Sequence, residues 1–302
     1  MVGQNFLKMV DRKDSFKGYY HVCTKGDEIP WMFKTDSDFI GGINRIAFCL
    51  LSSDIVAIAY ILMDTHVHFI FYGTMPDCKS FINKYKMLTG KWISEKHGLP
   101  SHLKDLTFSI IEIKSEEDLM ETIAYVDRNS VMAGYAHLPS NYPWGSAKYM
   151  FDDHKRHQGD FFPISKFTDR QRRKLFSTRH SIPDHWEFDS HNMINPLCFF
   201  NPKNGEQIFK TPLRYIYFLS KKVEGRIDIG LTQGRKSFIP DKELRLIAED
   251  ICQKLYKDKS LMLLDVNSRL IIAKKLRYDY AATHKQISRI VNIPHDLLKG
   301  FV

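Results

Sequence analysis

Ile55-Val56-Ala57-Ile58-Ala59-Tyr60-Ile61-Leu62-Met63 and His66-Val67-His68-Phe69-Ile70-Phe71-Tyr72 are two apolar runs separated only by Asp64-Thr65. Two such runs across a short polar break predict a β-hairpin. Upstream, Gly18-Tyr19-Tyr20-His21-Val22-Cys23-Thr24 is aromatic and β-branched and ends at Lys25-Gly26-Asp27, a strand followed by a turn. Thr35 then resembles a helix N-cap with Asp38 three residues on, and Phe39, Ile43, Ile46 and Leu50 recur at helical spacing. Downstream, a helix is predicted from about Asp77 to Lys96, with Phe81, Tyr85, Leu88 and Trp92 on one stripe and Gly98 just past its end. Phe108 to Ile113 reads as a strand, and Ser115-Glu116-Glu117-Asp118 opens a helix carried on by Leu119, Ile123 and Val126. The order β-α-β-β-α-β-α predicts an α+β fold, a ferredoxin-like antiparallel sheet with packed helices.

Beyond residue 150 the character changes, which divides the chain into residues 1–150, 151–240 and 241–302. Asp152-Asp153-His154-Lys155-Arg156-His157 reads as a solvated linker, and Asp169-Arg170-Gln171-Arg172-Arg173-Lys174 opens a basic helix. Residues 181–206 are rich in Pro, Asn and His without clean periodicity. The last stretch is mainly helical. Leu270, Ala273, Lys274, Leu276, Arg277 and Tyr280 suit an amphipathic helix, and Thr283 caps a short one containing Ile287 and Ile290. Asn292-Ile293-Pro294 then breaks the chain before a last segment from His295 to Lys299. Two short helices across a tight turn form a helix-turn-helix pattern, though a plain helical cap would read the same way. Its candidate DNA-binding residues are Lys285, Gln286, Arg289, His295 and Lys299.

Composition narrows the class. The 302 residues are 43 % hydrophobic and 26 % charged, ordinary values for a globular protein that exclude a collagen-like or disordered chain. The longest apolar stretch, Ile55 to Met63, falls well short of the roughly 20 residues that cross a bilayer, and Met1-Val2-Gly3-Gln4-Asn5 lacks a signal-peptide core. A cytoplasmic, nucleoid-associated protein without membrane contact is the expectation. Cys23, Cys49, Cys78, Cys198 and Cys252 have no Cys-x-x-Cys spacing and read as reduced packing residues. A net charge of +9, from 44 Lys and Arg against 35 Asp and Glu, favours a polyanionic partner.

Chemistry concentrates in two places. His66 and His68 flank Val67 at the start of a strand, where period-2 geometry sends both imidazoles to one face and lets them share a metal ion. Packed or surface histidines would show the same spacing. Tyr125 and Asn129 lie four apart on the third helix and share a face, about a quarter-turn from the Leu119, Ile123, Val126 stripe at about 100° per residue. A phenol can serve as a nucleophile and an amide oxygen as a metal ligand, while a boundary tyrosine capping the core fits the position equally well.

Three motifs in order add context. Met63-Asp64-Thr65-His66-Val67-His68, then Tyr125-Val126-Asp127-Arg128-Asn129-Ser130-Val131-Met132-Ala133-Gly134, then Tyr142-Pro143-Trp144-Gly145-Ser146 resemble the single-tyrosine HUH transposases of small bacterial insertion sequences. More narrowly they are similar to the REP-associated tyrosine transposases, over residues 18–150. The resemblance implies the HUH nuclease fold, with His66, His68 and Asn129 as metal ligands and Tyr125 as nucleophile. The family usually has Pro-Asn where this chain has Asp64-Thr65, and Pro where it has Ser130. The tail, Leu276-Arg277-Tyr278-Asp279-Tyr280-Ala281-Ala282 with Gln286-Ile287-Ser288, resembles the helix-turn-helix attached to some longer members.

What the resemblance implies is a DNA transposase that cleaves and rejoins single-stranded DNA through a 5′-phosphotyrosine, at hairpin-forming repeats. Imidazole donors alone lean toward zinc or manganese, and the resemblance implies Mg2+ or Mn2+. The implied partner is DNA, single-stranded or hairpin, with duplex held by the C-terminal region; a homodimer could use Tyr125 in either site. Two other enzyme classes fit poorly. A histidine-triad hydrolase needs a further His where Ile70 stands, and an amidohydrolase barrel needs about eight βα units. A domesticated DNA-binding regulator without activity is the non-enzymatic alternative.

Overall fold

The computed structural model describes residues 16–26, 29, 31–98, 101, 103–133, 135, 138–221, 239, 241–257, 260–280 and 282–298. Met1 to Asn5, Asp27, Gly134, Ala281 and Lys299 lie outside them. The expected hairpin is β2 (Val56–Leu62) and β3 (Val67–Gly73), paired from Leu62 opposite Val67 to Val56 opposite Tyr72 with a register shift between Ala57 and Ala59. Met63 N–H donates to the His66 carbonyl at 2.8 Å and closes the turn. β1 (Gly18–Thr24) lies antiparallel between β3 and β4 (Phe108–Ile113), so the sheet runs β2-β3-β1-β4.

Both faces of this sheet are covered, which is why its central strands read as nearly continuous apolar runs. On one face, Val22, Leu62, Val67, Phe69 and Phe71 pack against α1 (Asp36–Leu50) and α2 (Met75–His97) through Phe39, Ile43, Ile46, Phe81 and Tyr85. Thr35 and Asp38 cap α1 reciprocally, as their spacing predicts. Gly98 ends α2 at φ +66°, a left-handed conformation that glycine adopts without a Cβ penalty. On the other face, Ile58, Ile61 and Ile70 meet Leu119, Ile123 and Val126 of α3 (Glu116–Met132), which continues straight through Ser130. Tyr142-Pro143-Trp144-Gly145-Ser146 covers the edge of β2. Leu62 N–H donates to Trp144 O, Tyr142 Oη donates to Leu62 O, and Tyr60 N–H donates to Ser146 Oγ, all between 2.8 and 2.9 Å. The third motif thereby occupies backbone groups that an open sheet edge would expose.

Residues 151–221 are integral to this body rather than a linker on its surface. Asp152 caps α4 (Asp153–Arg156), and Arg156 donates to the Tyr149 carbonyl at 2.9 Å and ion-pairs with Glu206. β5 (Phe161–Pro163) and β6 (Glu187–Asp189) form a two-stranded sheet on either side of α5 (Asp169–Leu175), the expected basic helix. Ile164, Phe176, Trp186 and Phe188 pack there against Ala47 and Phe48 of α1. α6 (Pro202–Phe209) and α7 (Pro212–Ser220) place Phe209, Tyr215 and Phe218 against α3. Aromatic residues scattered without period gave no sign of this in one dimension.

The C-terminal helices are α8 (Asp241–Tyr256), α9 (Val266–Tyr280), α10 (His284–Val291) and α11 (His295–Leu298). They close on their own core of Leu244, Ala248, Ile272, Leu276, Ile287, Ile290 and Leu298. Thr283 and Gln286 form a capping box on α10, and Asn292 ends it at φ +51°. Among the described residues no helix is long and apolar enough to cross a membrane.

Candidate active site

Sheet and helix bring the two sequence elements together. His66 precedes β3, His68 lies within it, and Tyr125 projects from the face of α3 that the core leaves uncovered. Tyr125 is 48 % exposed while its neighbours Ala124 and Val126 are fully buried. Ring centroids are 4.9 Å apart for His66 and His68 and 5.5 Å apart for His68 and Tyr125, with the phenol edge-on to the imidazole.

A third histidine joins them from β1. His21 Nε2 lies 3.0 Å from His68 Nδ1, both rings are buried, and their planes differ by only 15°. Their centroids are 5.2 Å apart, which is the N···N distance plus nearly a full ring radius on each side. The two centroids and the two nitrogens are therefore almost collinear, the geometry of an in-plane N–H···N hydrogen bond. Burial pushes the pKa of His21 down to about 4 and that of His68 well below the usual imidazole range, so both rings are neutral at pH 7 and one proton lies between them.

This pairing decides which edge of His68 faces a ligand. His21, Cys23 and His68 place one donor atom each within 4.8 Å of one another. While the aligned bond is made, however, one of His21 Nε2 and His68 Nδ1 carries the shared proton and the other points its lone pair at that proton, so the two cannot converge on one ion. The edge of His68 left for a ligand is Nε2. His66 is oriented in the same manner, its Nδ1 lying 2.9 Å from Thr65 Oγ1. Each imidazole that could hold a metal thus has its Nδ1 engaged, the arrangement that fixes tautomer and ring direction around metal ligands. Sequence reasoning missed His21. Alternation along β1 puts His21 and Cys23 on one face, but only the pairing of β1 with β3 makes His21 a diagonal neighbour of His68.

The remaining residues fall into two groups. Asn129 Nδ2 donates to the carbonyls of Tyr125 at 2.8 Å and Val126 at 3.3 Å, which leaves its Oδ1 outside both bonds. Two imidazole edges together with an amide oxygen would be a donor set of the kind that suits a divalent cation. Asn129 does not line the cleft in front of Tyr125, a space of about 780 Å³ bordered by Thr24, Lys25, Gly26, His66, His68 and Tyr125. Its opposite side is Lys285, Ser288, Arg289, Asn292 and His295 of the C-terminal helices. Gln286 is buried; its Nε2 donates to Ile239 O at 2.9 Å and Asp241 Oδ1 at 3.0 Å, so it joins α10 to the start of α8 and presents no free edge.

Asp64 and Thr65 have identifiable tasks. Thr65 positions His66, and the Asp64 carboxylate reaches Arg245 on α8 at 3.1 Å. Burial raises the Asp64 pKa, and the charge of Arg245 opposes that rise.

No family model and no curated protein matches the chain. Among solved structures it is similar to that of a REP-associated tyrosine transposase bound to a REP hairpin, at 16 % identity and a TM-score of 0.36, over 46 % of this chain and 82 % of the other.

Proposed function

We propose that this chain is a DNA strand transferase, a single-tyrosine HUH transposase that cleaves single-stranded DNA through a 5′-phosphotyrosine. The observation that carries the reading is the convergence of His66, His68 and Tyr125 at one end of the sheet, in a cleft with cationic walls. The antiparallel order β2-β3-β1-β4 with helices on both faces supports a ferredoxin-like core. α10 and α11, separated by a tight turn and backed by α9, support the helix-turn-helix reading.

In this reading Tyr125 Oη attacks the scissile phosphorus in line. The phenol releases its proton to solvent as the bond to the 3′ oxygen breaks, that oxygen takes a proton from solvent and leaves as a 3′-hydroxyl, and the 5′ phosphate remains esterified to Tyr125. Because a phosphodiester is exchanged for a phosphodiester, an incoming 3′-hydroxyl reverses the step and completes strand transfer without nucleotide hydrolysis. His21 and Thr65 engage Nδ1 of the two imidazoles, which leaves Nε2 of each ring to face a ligand. A divalent cation, Mg2+ or Mn2+, held by His66, His68 and Asn129 would supply stabilisation of the charge that develops on the phosphate oxygens.

The test is an SDS-stable adduct between the protein and a labelled single-stranded oligonucleotide carrying a hairpin, in the presence of Mn2+. Adduct formation is expected. Its absence across a panel of hairpins, with DNA binding retained, would favour a regulator without catalysis.

A further inference from the structure

A helix-turn-helix that reads duplex DNA needs its first helix free to cross the DNA backbone while the second enters a major groove. In this chain the outer face of the first helix, α10, is turned inward. Lys285, Ser288, Arg289 and Asn292 stand at positions i, i+3, i+4 and i+7 of one helical stripe, and all four line the cleft that also contains His66, His68 and Tyr125. The opposite stripe of α10, Ile287, Ile290 and Val291, is buried in the C-terminal core.

Two ion pairs fix this orientation. Arg245 of α8 lies 3.1 Å from Asp64 in the turn that carries His66, and its guanidinium stacks 3.8 Å above the Trp31 ring. At the other end of the linkage, Asp241 of α8 accepts from Arg289 Nε at 2.7 Å and from Gln286 at 3.0 Å. The catalytic turn is thus tied to α8, and α8 to α10. Both residues of the Asp64–Arg245 pair are largely withdrawn from solvent, where breaking such a pair costs far more than at the surface.

The space between the walls settles what can occupy it. About 780 Å³ falls within the range of small-ligand pockets, roughly 300–1,000 Å³. That volume corresponds to a short run of nucleotides. Lys25 on the catalytic wall and Lys285 on the facing wall are exposed cations directed into it, with Asp296 as the acidic residue at its border. A cationic cleft of that size beside a phenol suits a single strand tracked by its phosphates.

We propose that α10 is the second wall of a single-strand channel, in which Lys285 and Lys25 grip the phosphates flanking the one at Tyr125. The C-terminal helices would then hold the strand being cut rather than a separate duplex site. The chemistry assigned to that phosphate rests on the strand-transferase reading; the channel itself does not.

Fluorescence anisotropy of the full chain tests this, using a labelled single-stranded oligonucleotide and a duplex of the same sequence. Lys285→Glu and Lys25→Glu should each weaken single-strand binding by about tenfold and lessen its salt dependence. Lys174→Glu, on the exposed basic helix α5, should leave binding as it was. The proposal is overturned if the wild-type chain does not bind the single strand, if Lys285→Glu binds it unchanged, or if Lys285→Glu weakens duplex binding in step. Adduct formation is scored separately. An adduct with Lys285→Glu binding unchanged would sink the channel and spare the strand-transferase reading, whereas loss of binding in the variants with no wild-type adduct would do the reverse.

Discussion

The Tyr215 hydroxyl donates a 2.7 Å hydrogen bond to Oδ2 of Asp127, two residues along α3 from Tyr125. The next residue, Arg128, donates through Nη1 to the carbonyls of Phe218 at 2.6 Å and Leu219 at 3.1 Å. α3 is fastened to α7 on the side away from Tyr125, so a segment some ninety residues downstream sets where that phenol stands.

That contact has a pH signature. Burial, only partly offset by the Tyr215 hydrogen bond and the Arg128 charge, raises the Asp127 pKa to about 7 from an ordinary value of 3.8. Between about pH 4 and pH 7 the native chain therefore holds a proton that the unfolded chain has released. The contribution to stability is whole below that window and declines as pH rises through it, by a few kcal/mol at most. Asp127→Asn, which cannot ionise, should flatten the dependence of melting temperature on pH across this range. An unaltered slope in the variant would show that Asp127 is not the group responsible.

Tyr125→Phe should abolish the covalent adduct and leave DNA binding intact. The ring, its edge-on contact with His68 and the helix are all kept, and stability should shift by no more than about 0.5 kcal/mol because the site is half-exposed. Tyr85 and Tyr142 are buried phenols and serve as controls. An adduct formed by Tyr125→Phe at the wild-type rate would move the nucleophile elsewhere, and peptide mapping would find it.

Removal of a metal ligand should separate from removal of its support. His66→Ala and EDTA should each eliminate the adduct, His66 being half-buried and its loss mild for the fold. His21→Phe keeps a ring of similar size but leaves His68 Nδ1 without its partner. Mn2+ affinity, followed by paramagnetic resonance, should fall by about 10- to 100-fold, as for other residues that orient metal ligands, and stability by about 1–3 kcal/mol. Wild-type Mn2+ affinity in His21→Phe would reduce His21 to a packing residue.

Gly42→Ala should destabilise the chain despite favouring helix. A methyl at Gly42 would stand 2.6 Å from Leu62 Cδ2 and 2.7 Å from Phe33 Cε1, both in the α1 layer of the core. Overpacking of this kind costs about 1–3 kcal/mol, against a gain of about 1 kcal/mol in helix propensity. Denaturant unfolding should show a net loss; a gain would mean the core has slack.

Local order was legible in the sequence because its causes are local. The Asp64-Thr65 break between apolar runs, the Thr35–Asp38 box, the Thr283 cap and the glycine after α2 each act within a few residues, and all appear where their spacing places them. The nearness of His66 to His68 was legible by period alone. What tertiary structure decided is which periods meet. His21 became a partner of His68 only through the pairing of β1 with β3, and Asp64 became the anchor of the C-terminal helices only through Arg245 on α8. The aromatic residues of 161–218 have no period to read because they fill gaps between elements rather than one face of a helix or strand. For the same reason the basic stripe of α10 could be recognised as cationic from its sequence, but not as facing Tyr125. The direction a helix faces is set by contacts between residues far apart in the chain, and no local spacing encodes those.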